Sequence, residues 1–447
     1  MTGLRGRVAR EAIAADVVVI GGGLAGAAAA LAARRSGRSV AVIRRSWGAT
    51  ALSHGVLDLA RDPLAAPHAP LGERRSVAAS IGALALRRPR HPWAVLGARL
   101  PDLARVLGAA GEETDGRLVF ADLEAENRCL LTPLGAIKTT AGGQDTVLAG
   151  DLLRGGAVGV VGFVGHPAWD ARLLAAAANE AAGAAGLRCT ALPIETRFLQ
   201  RADDYALRPH QLAQRIASDP DGLAEAIRLA LPAGVERLLL PPLLGTGDPR
   251  PIRAALEEKL GLPCAELPAA SAAPLPGLRL QQMLEALLEA RGVQLWHGEV
   301  FSRDGTPGAL FVRAAAPPLL DPSHFDAGRA PVPHEPPAAH RVRARAVVLA
   351  TGRFVGGGIR GGAALREPVF DLPVEGDARA GEAIFAAGVR IDERLRPLDR
   401  DGAVRAPGLF ACGAVIGGND PARDGAGLGL SWFTGWLAGE AASAGGA

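Results

Sequence analysis

The chain is short of everything that would place it in a disulfide, metal or membrane class. Its four cysteines, Cys129, Cys189, Cys264 and Cys412, stand 60 or more residues apart. No CxxC exists to hold zinc or an iron–sulfur cluster of ordinary spacing, and scattered thiols suit a reducing cytoplasm. The opening MTGLRGRVAREAIAA has no apolar stretch of signal-peptide length. No run of about eighteen apolar residues offers a membrane span. The nearest to one, Gly425 to Gly439, is short and glycine-rich and is predicted to be a buried helix. Charge of one sign is scarce too: 49 basic residues face 46 acidic ones, and the scattered surplus of +3 does not argue for nucleic acid. Lysine is nearly absent. Lys138 and Lys259 are the only two, which makes Lys138 conspicuous.

What is present is core. With 447 residues and 49% hydrophobic content, the chain can bury a large interior and is expected to hold two intertwined domains. The most telling run is GGGLAG, Gly21 to Gly26, entered from Asp16-VVVI and followed by AAAALAARRSG. It predicts a strand, a tight glycine turn and a helix whose first N–H groups face a phosphate. Gly21 permits the turn, Gly23 admits close backbone approach, and Gly26 lets helix and strand pack.

One residue is missing where it matters. The return strand SVAVIRR, Ser39 to Arg45, would end in Asp or Glu if it bound the ribose hydroxyls of an adenosine half. Arg44 stands there instead, with Arg45 behind it. A cation cannot accept from a hydroxyl. Three readings stay open: a phosphate beside Arg44, as in NADP; a ligand with no adenosine half, which FMN satisfies; or a simply solvated arginine.

Further along, a loop WGATALSHGVLDLA leads into a proline-rich stretch through Pro70, taken as a domain crossing. Ala157 to Phe163 and Val235 to Leu244 read as buried strands. Helices are expected at AWDARLLAAAANEAAGAAG, PIRAALEEKLG and Pro276 to Gly292. Ala314 to His340, with His324, His334 and His340, is a surface excursion whose histidine spacing matches no ligand pattern. RARAVVLATGRF and GLFACGAVIGG are strands that stop at Thr351-Gly352 and at Gly413, and a last helix starts near Gly427. Three strands thus end in glycines, where an open α/β sheet binds ligands. No internal repeat is evident.

This succession resembles the flavoprotein superfamily of fumarate reductases and succinate dehydrogenases. SHGVLDL, LTPLGAIKTT, LLLPPLLG, PGLRL, LATGRFVGGG, REPVFDLPV and GLFACGAVIGGNDP narrow the resemblance to the B-subunit family of anaerobic, quinone-linked glycerol-3-phosphate dehydrogenase, over about residues 16–440. The resemblance implies an α/β, Rossmann-like FAD/NAD(P)-binding flavoprotein fold with an inserted mixed α/β cap. The flavin-binding domain would take residues 1–62 and 275–447, and the cap 63–274. It implies an FMN cofactor, with FAD as the alternative. It also implies a flavin-bearing A subunit that oxidises glycerol 3-phosphate to dihydroxyacetone phosphate, and an iron–sulfur C subunit that delivers electrons towards quinone. The complex would sit in the cytoplasm at the inner face of the cell membrane through its partners.

The candidate cofactor residues follow. N–H groups around Gly21, Gly22, Gly23, Leu24 and Gly26 would hold the phosphate, with Arg44 near it. Ser53, His54 and Gly55 resemble the superfamily loop lying against the cofactor; His54 is read as a packing or hydrogen-bonding residue rather than an acid. Lys138 is either a solvated strand lysine or a cation stabilising reduced, anionic flavin at its N1/C2 edge. Thr351, Gly352, Gly413, Gly427 and Leu428 complete the set. Asp420 and Asp424 are expected to shape a turn and cap a helix, and Cys412 to be core. No catalytic acid or base and no metal ligand is assigned. Arg353, Arg360 and Arg366 could hold a substrate phosphate, but no base is paired with them. Two rival functions remain: a self-sufficient FAD oxidoreductase of the fumarate reductase or ketosteroid dehydrogenase type, and a docking subunit without redox chemistry.

Overall fold

Runs of Val, Ala and Ile with few polar interruptions make Ile13–Ile20, β1, and Val40–Arg44, β2, central strands; β1 is buried from Val17 onward and β2 throughout. Between them the alanine-rich helix α1, Leu24–Arg35, buries every residue from Leu24 to Ala33. The computed structural model describes residues 13–61, 75–200, 202–269, 274–314, 339–362, 364–376 and 381–445. The opening residues, the proline-rich stretch through Pro70 with the 62/63 boundary, and His324 and His334 of the surface excursion lie outside the described residues.

A second, wholly parallel sheet follows in the chain: Gly156–Phe163, β3; Cys189–Thr196, β4; Arg237–Leu240, β5; and Cys264–Glu266, β6, in the order β6–β5–β3–β4. The chain then returns through helix α2, Leu275–Ala290, to Gln294–Ser302, β7; Leu310–Ala314, β8; Ala339–Leu349, β9; and Leu409–Ala411, β10. Five of these strands run parallel as β7–β2–β1–β9–β10, while β8 joins β7 to β9 in antiparallel fashion. This is a Rossmann-like α/β architecture.

Register brings the strand ends level. Ile20 pairs with both Ile43 and Leu349, and Leu349 pairs with Ala411. The glycines that follow β1, β9 and β10 therefore meet along one edge. Helix α3, Leu428–Ser443, aims its first turn at that edge. It packs on α1 at backbone distance, since a Cβ on Gly435 or Gly439 would stand 2.2 Å from the carbonyl oxygen of Ala25 or Ala29. A helix glycine costs about 1 kcal/mol against alanine, and here it admits the neighbouring helix. This is the Gly425 to Gly439 segment, and it is buried. Among the described residues no helix is long and apolar enough to cross a membrane.

The two sheets are tied by a buried ion pair. Glu266 at the end of β6 and Arg279 on α2 meet at 2.7 Å with side chains 0% and 2% exposed. Glu266 also accepts from Leu244 N–H and the Thr146 hydroxyl, and Arg279 Nη1 donates to the carbonyls of Leu244 and Gly245, while Arg279 Nε is buried without a partner.

Candidate functional site

The level strand ends open on a cleft with about 340 Å³ of free space. Its floor is the first βα junction. Gly21 has φ +117°, and a Cβ there would lie 2.1 Å from the Ala350 carbonyl oxygen, so only glycine fits between β1 and β9. Leu24 N–H donates to Thr50 Oγ1 at 2.9 Å and is already taken, contrary to the expectation that it holds a phosphate. Among the described residues nothing accepts from the N–H of Gly22 or Gly23. Those two donors, at the positive end of a twelve-residue helix, suit an anion.

Arg44 is neither solvated nor awaiting a phosphate. Its side chain, 6% exposed, runs beneath Gly22 and forks onto Glu285 of α2, with Nη2 2.9 Å from Oε2 and Nη1 on Oε1. Arg44 Nε donates to His297 Nε2 at 3.1 Å. Burial first, and then the Arg44 charge, hold the His297 pKa below its usual value, which keeps that nitrogen an acceptor. Gln281, one turn before Glu285, donates to both the Gly22 carbonyl and Glu285. The charge at the end of β2 is thus neutralised from below by α2.

The outer wall is built around Glu299 of β7, which accepts from Arg360 at 2.6 Å and Arg313 at 3.2 Å and has Arg45 at 3.8 Å. The Arg360 hydrogen bond leads the causes that hold its carboxyl below the usual range. The third wall follows β9. Thr351 Oγ1 is buried without a hydrogen-bond partner, as is Nε of Arg353. Arg353 reaches the carbonyls of Ile416 and Asn419, and burial lowers its pKa to about 10. Ala414, Leu428 and Ser431 close the α3 side.

Of the residues expected from sequence, Gly21, Gly22, Gly23, Leu24, Arg44, Thr351, Gly352 and Leu428 line this cleft. Gly26 lies behind it, where a Cβ would stand 1.9 Å from Gly21 O. Gly413 sits one residue behind Ala414, its N–H on Thr434 Oγ1 at 3.0 Å. Gly427 donates to Asp58 O at the start of α3. Ser53 Oγ accepts from Gly55 N–H at 3.4 Å, and Gly55 is wedged against Gln144 and Pro276. Lys138 is paired with Asp58 at 2.9 Å rather than solvated. Exposed His54 stands nearby, its pKa lowered first by the surrounding protein and then by Lys138. Asp420 caps the short helix Pro421–Asp424, and Asp424 meets Arg88 at 2.7 Å. Cys412 is fully buried, which pushes its thiol pKa up.

Sequence reasoning missed Thr50, Glu285 and Glu299, and noted Arg45 without giving it a place in the site. Gln281 and Glu285 left a readable trace, two polar residues four apart on the face of α2 that turns to the sheet. Glu299 left none.

Residues 16–229 and 373–430 match a family described as an FAD binding domain. The B subunit of a probable anaerobic glycerol-3-phosphate dehydrogenase from Halobacterium salinarum is 30% identical, over 97% of this chain and 98% of the relative. The chain belongs to that family. A further member, from Yersinia pseudotuberculosis, is 29% identical over 93% of this chain and 95% of its own length. Among solved structures, a 3-ketosteroid delta1-dehydrogenase from Sterolibacterium denitrificans aligns with 96% of this chain and 99% of its own, at 12% identity and a TM-score of 0.42.

The chain therefore carries an FAD-type flavin-binding domain, and the expectation of FMN finds no support. The residues present fit such a group. Free N–H groups face the cleft from the α1 start, the Thr351 hydroxyl is orphaned, and three glycines keep side chains out of the way.

Proposed function

We propose that this chain is the flavin-containing B subunit of a glycerol-3-phosphate dehydrogenase (quinone). It would bind FAD along the cleft and pass electrons from oxidation of glycerol 3-phosphate to dihydroxyacetone phosphate towards quinone. The A subunit would carry the substrate chemistry and the C subunit the iron–sulfur centres, holding the complex at the inner face of the membrane. In this reading residues 1–62 and 275–447 form the flavin domain and 63–274 the cap that meets the partners.

The observation that supports FAD is the charge of the cleft. Arg44, Arg45, Arg353 and Arg360 line it, with Glu299 as the sole acidic lining residue among those described, and Glu285 cancels Arg44. A surplus of two positive charges remains, which suits a diphosphate. The space also continues past the end of β2 to Gly298, Glu299 and Val300, where an adenosine half could lie.

A bound isoalloxazine would supply the redox chemistry. The protein's part is to hold it, with N–H donors at the α1 end and the first turn of α3 at the other. Asp58 stands beside Gly427 and pairs with Lys138.

The test is direct. Acid release of the ligand from purified protein, followed by chromatography, should yield FAD. FMN, or a colourless well-folded preparation, would overturn the reading. Dye reduction by glycerol 3-phosphate should require addition of the partner chains, and robust activity of this chain alone would refute its assignment to a multi-chain enzyme.

A further inference from the structure

The sequence leaves a problem that the FAD reading sharpens: adenosine recognition wants a carboxylate at the end of β2, and an arginine stands there. We infer that Glu299, on the neighbouring strand β7, reads the vicinal hydroxyls of the adenosine ribose in its place. The inference rests on FAD occupying the cleft.

Strand register carries it. Parallel pairing sets His297 beside Arg44, and their side chains meet on one face of the sheet at 3.1 Å. Side chains alternate along a strand, so Glu299, two residues on, projects from that same face. It lies one step, roughly 7 Å, further along β7. The substitution at the end of β2 is therefore matched by an acid displaced outward along the adjacent strand. Glu285 cannot serve, because Arg44 spans both its oxygens and it is not part of the cleft wall. Glu299 is in the wall and is the one carboxylate there among the described residues.

Its bonding state suits the task. A carboxylate has about four acceptor directions. Arg360 occupies one on Oε1 and Arg313 one on Oε2, and Arg45, at 3.8 Å, lies beyond hydrogen-bond range. A lone pair on each oxygen remains, which matches two neighbouring hydroxyls. The side chain is 36% exposed, so a ligand can reach it. The arginines keep it ionised and therefore an acceptor only. They also fix its orientation from three elements: β8, the loop after β9, and the end of β2. Arg45 itself is held over Gly357, where a Cβ would come within 2.8 Å of its Nη2.

The experiment titrates apoprotein with FAD, with FAD bearing 2′-deoxyadenosine, and with FMN, for wild type, Glu299→Gln and Glu299→Asp. Affinity is read from flavin fluorescence, with melting temperature as the folding control. Wild type should lose about tenfold in affinity when the 2′-hydroxyl is absent, the usual effect of one hydrogen bond to a charged group. Glu299→Gln should bind FAD about tenfold more weakly, should no longer distinguish the deoxy analogue, and should bind FMN as wild type does. Glu299→Asp should recover part of the discrimination.

Unchanged FAD affinity in Glu299→Gln would overturn the inference while leaving FAD as the cofactor. Equal weakening towards FAD and FMN would also overturn it, since that is the mark of a collapsed wall. A wild-type protein that does not bind FAD would sink the parent reading and this one with it.

Discussion

Thr50 shows how much of the site hangs on single side chains outside the glycine motif. Its hydroxyl accepts from Leu24 N–H and sits 3.1 Å from where a Gly23 Cβ would be. Thr50→Val should cost about 1 kcal/mol in chemical denaturation, as loss of a helix-capping acceptor does. It should also weaken flavin binding by loosening the turn; a variant with unaltered stability would show that the hydrogen bond is idle. The Lys138–Asp58 pair gives a second prediction. Asp58 Oδ1 is already buried without a partner, so Lys138→Met should destabilise by about 2 kcal/mol, and adding Asp58→Asn should return most of it. Additive losses in that double-mutant cycle would deny the coupling. At this scale the glycines were legible because their reason is local: a φ of +117° and a carbonyl 2.1 Å away admit nothing larger than hydrogen at position 21. Arg44 was not. Its partner Glu285 lies 241 residues away in sequence, and only the fold says that a cation in that place is neutral in effect.

Elements were easier to read than their partners. Hydrophobic runs located β1, β2, β9, α2 and α3 to within a few residues, since strand and helix periods are written in neighbouring positions. Pairing of Glu266 with Arg279 across two sheets was invisible because it depends on how α2 returns over β6. Arg279→Met should cost about 3–5 kcal/mol in denaturant unfolding by stranding a buried carboxylate, and a neutral outcome would mean that water reaches Glu266. His91 supplies the pH-dependent prediction. It is fully buried, accepts from Trp93 N–H through Nδ1 and meets Asn419 through Nε2. Burial, the largest cause, lowers its pKa to about 4. Because the unfolded chain protonates near 6.5 and the folded one only near 4, stability is retained above pH 6.5 and lost progressively down to about 4. The loss should approach about 3 kcal/mol. His91→Gln should flatten that slope in denaturation series across pH; an unchanged slope would place the acid sensitivity elsewhere.

For the whole molecule, the cleft lies where β1, β2, β9 and β10 end and where α1 and α3 begin, so its ligand touches most of the large sheet. Ligand binding should therefore be felt globally. At a hundredfold excess over its dissociation constant FAD should add about 2.7 kcal/mol, a rise on the order of 3 °C in melting temperature. A melting curve indifferent to FAD would contradict binding to the folded form. The fold class was legible at this scale because three glycine-ended strands and a final helix can converge only at one edge of a parallel sheet. The walls were not, because Glu299, Arg360 and Arg353 are placed by the meander of β7 to β9 and by a loop whose sequence carries no period.

Strand β9 has a practical corollary. Its first residues pair with β8 and its last with β1 and β10, so at roughly 3.3 Å per residue its two ends are about 33 Å apart. The chain leaves β8 and rejoins β9 at the end remote from Thr351. Because Arg313 bonds Glu299 and pairs with Ala339, a fluorescent label grafted between Ala314 and Ala339 would be tethered beside the Glu299 end of the cleft and far from its Thr351 end, giving a reporter of occupancy at that one end.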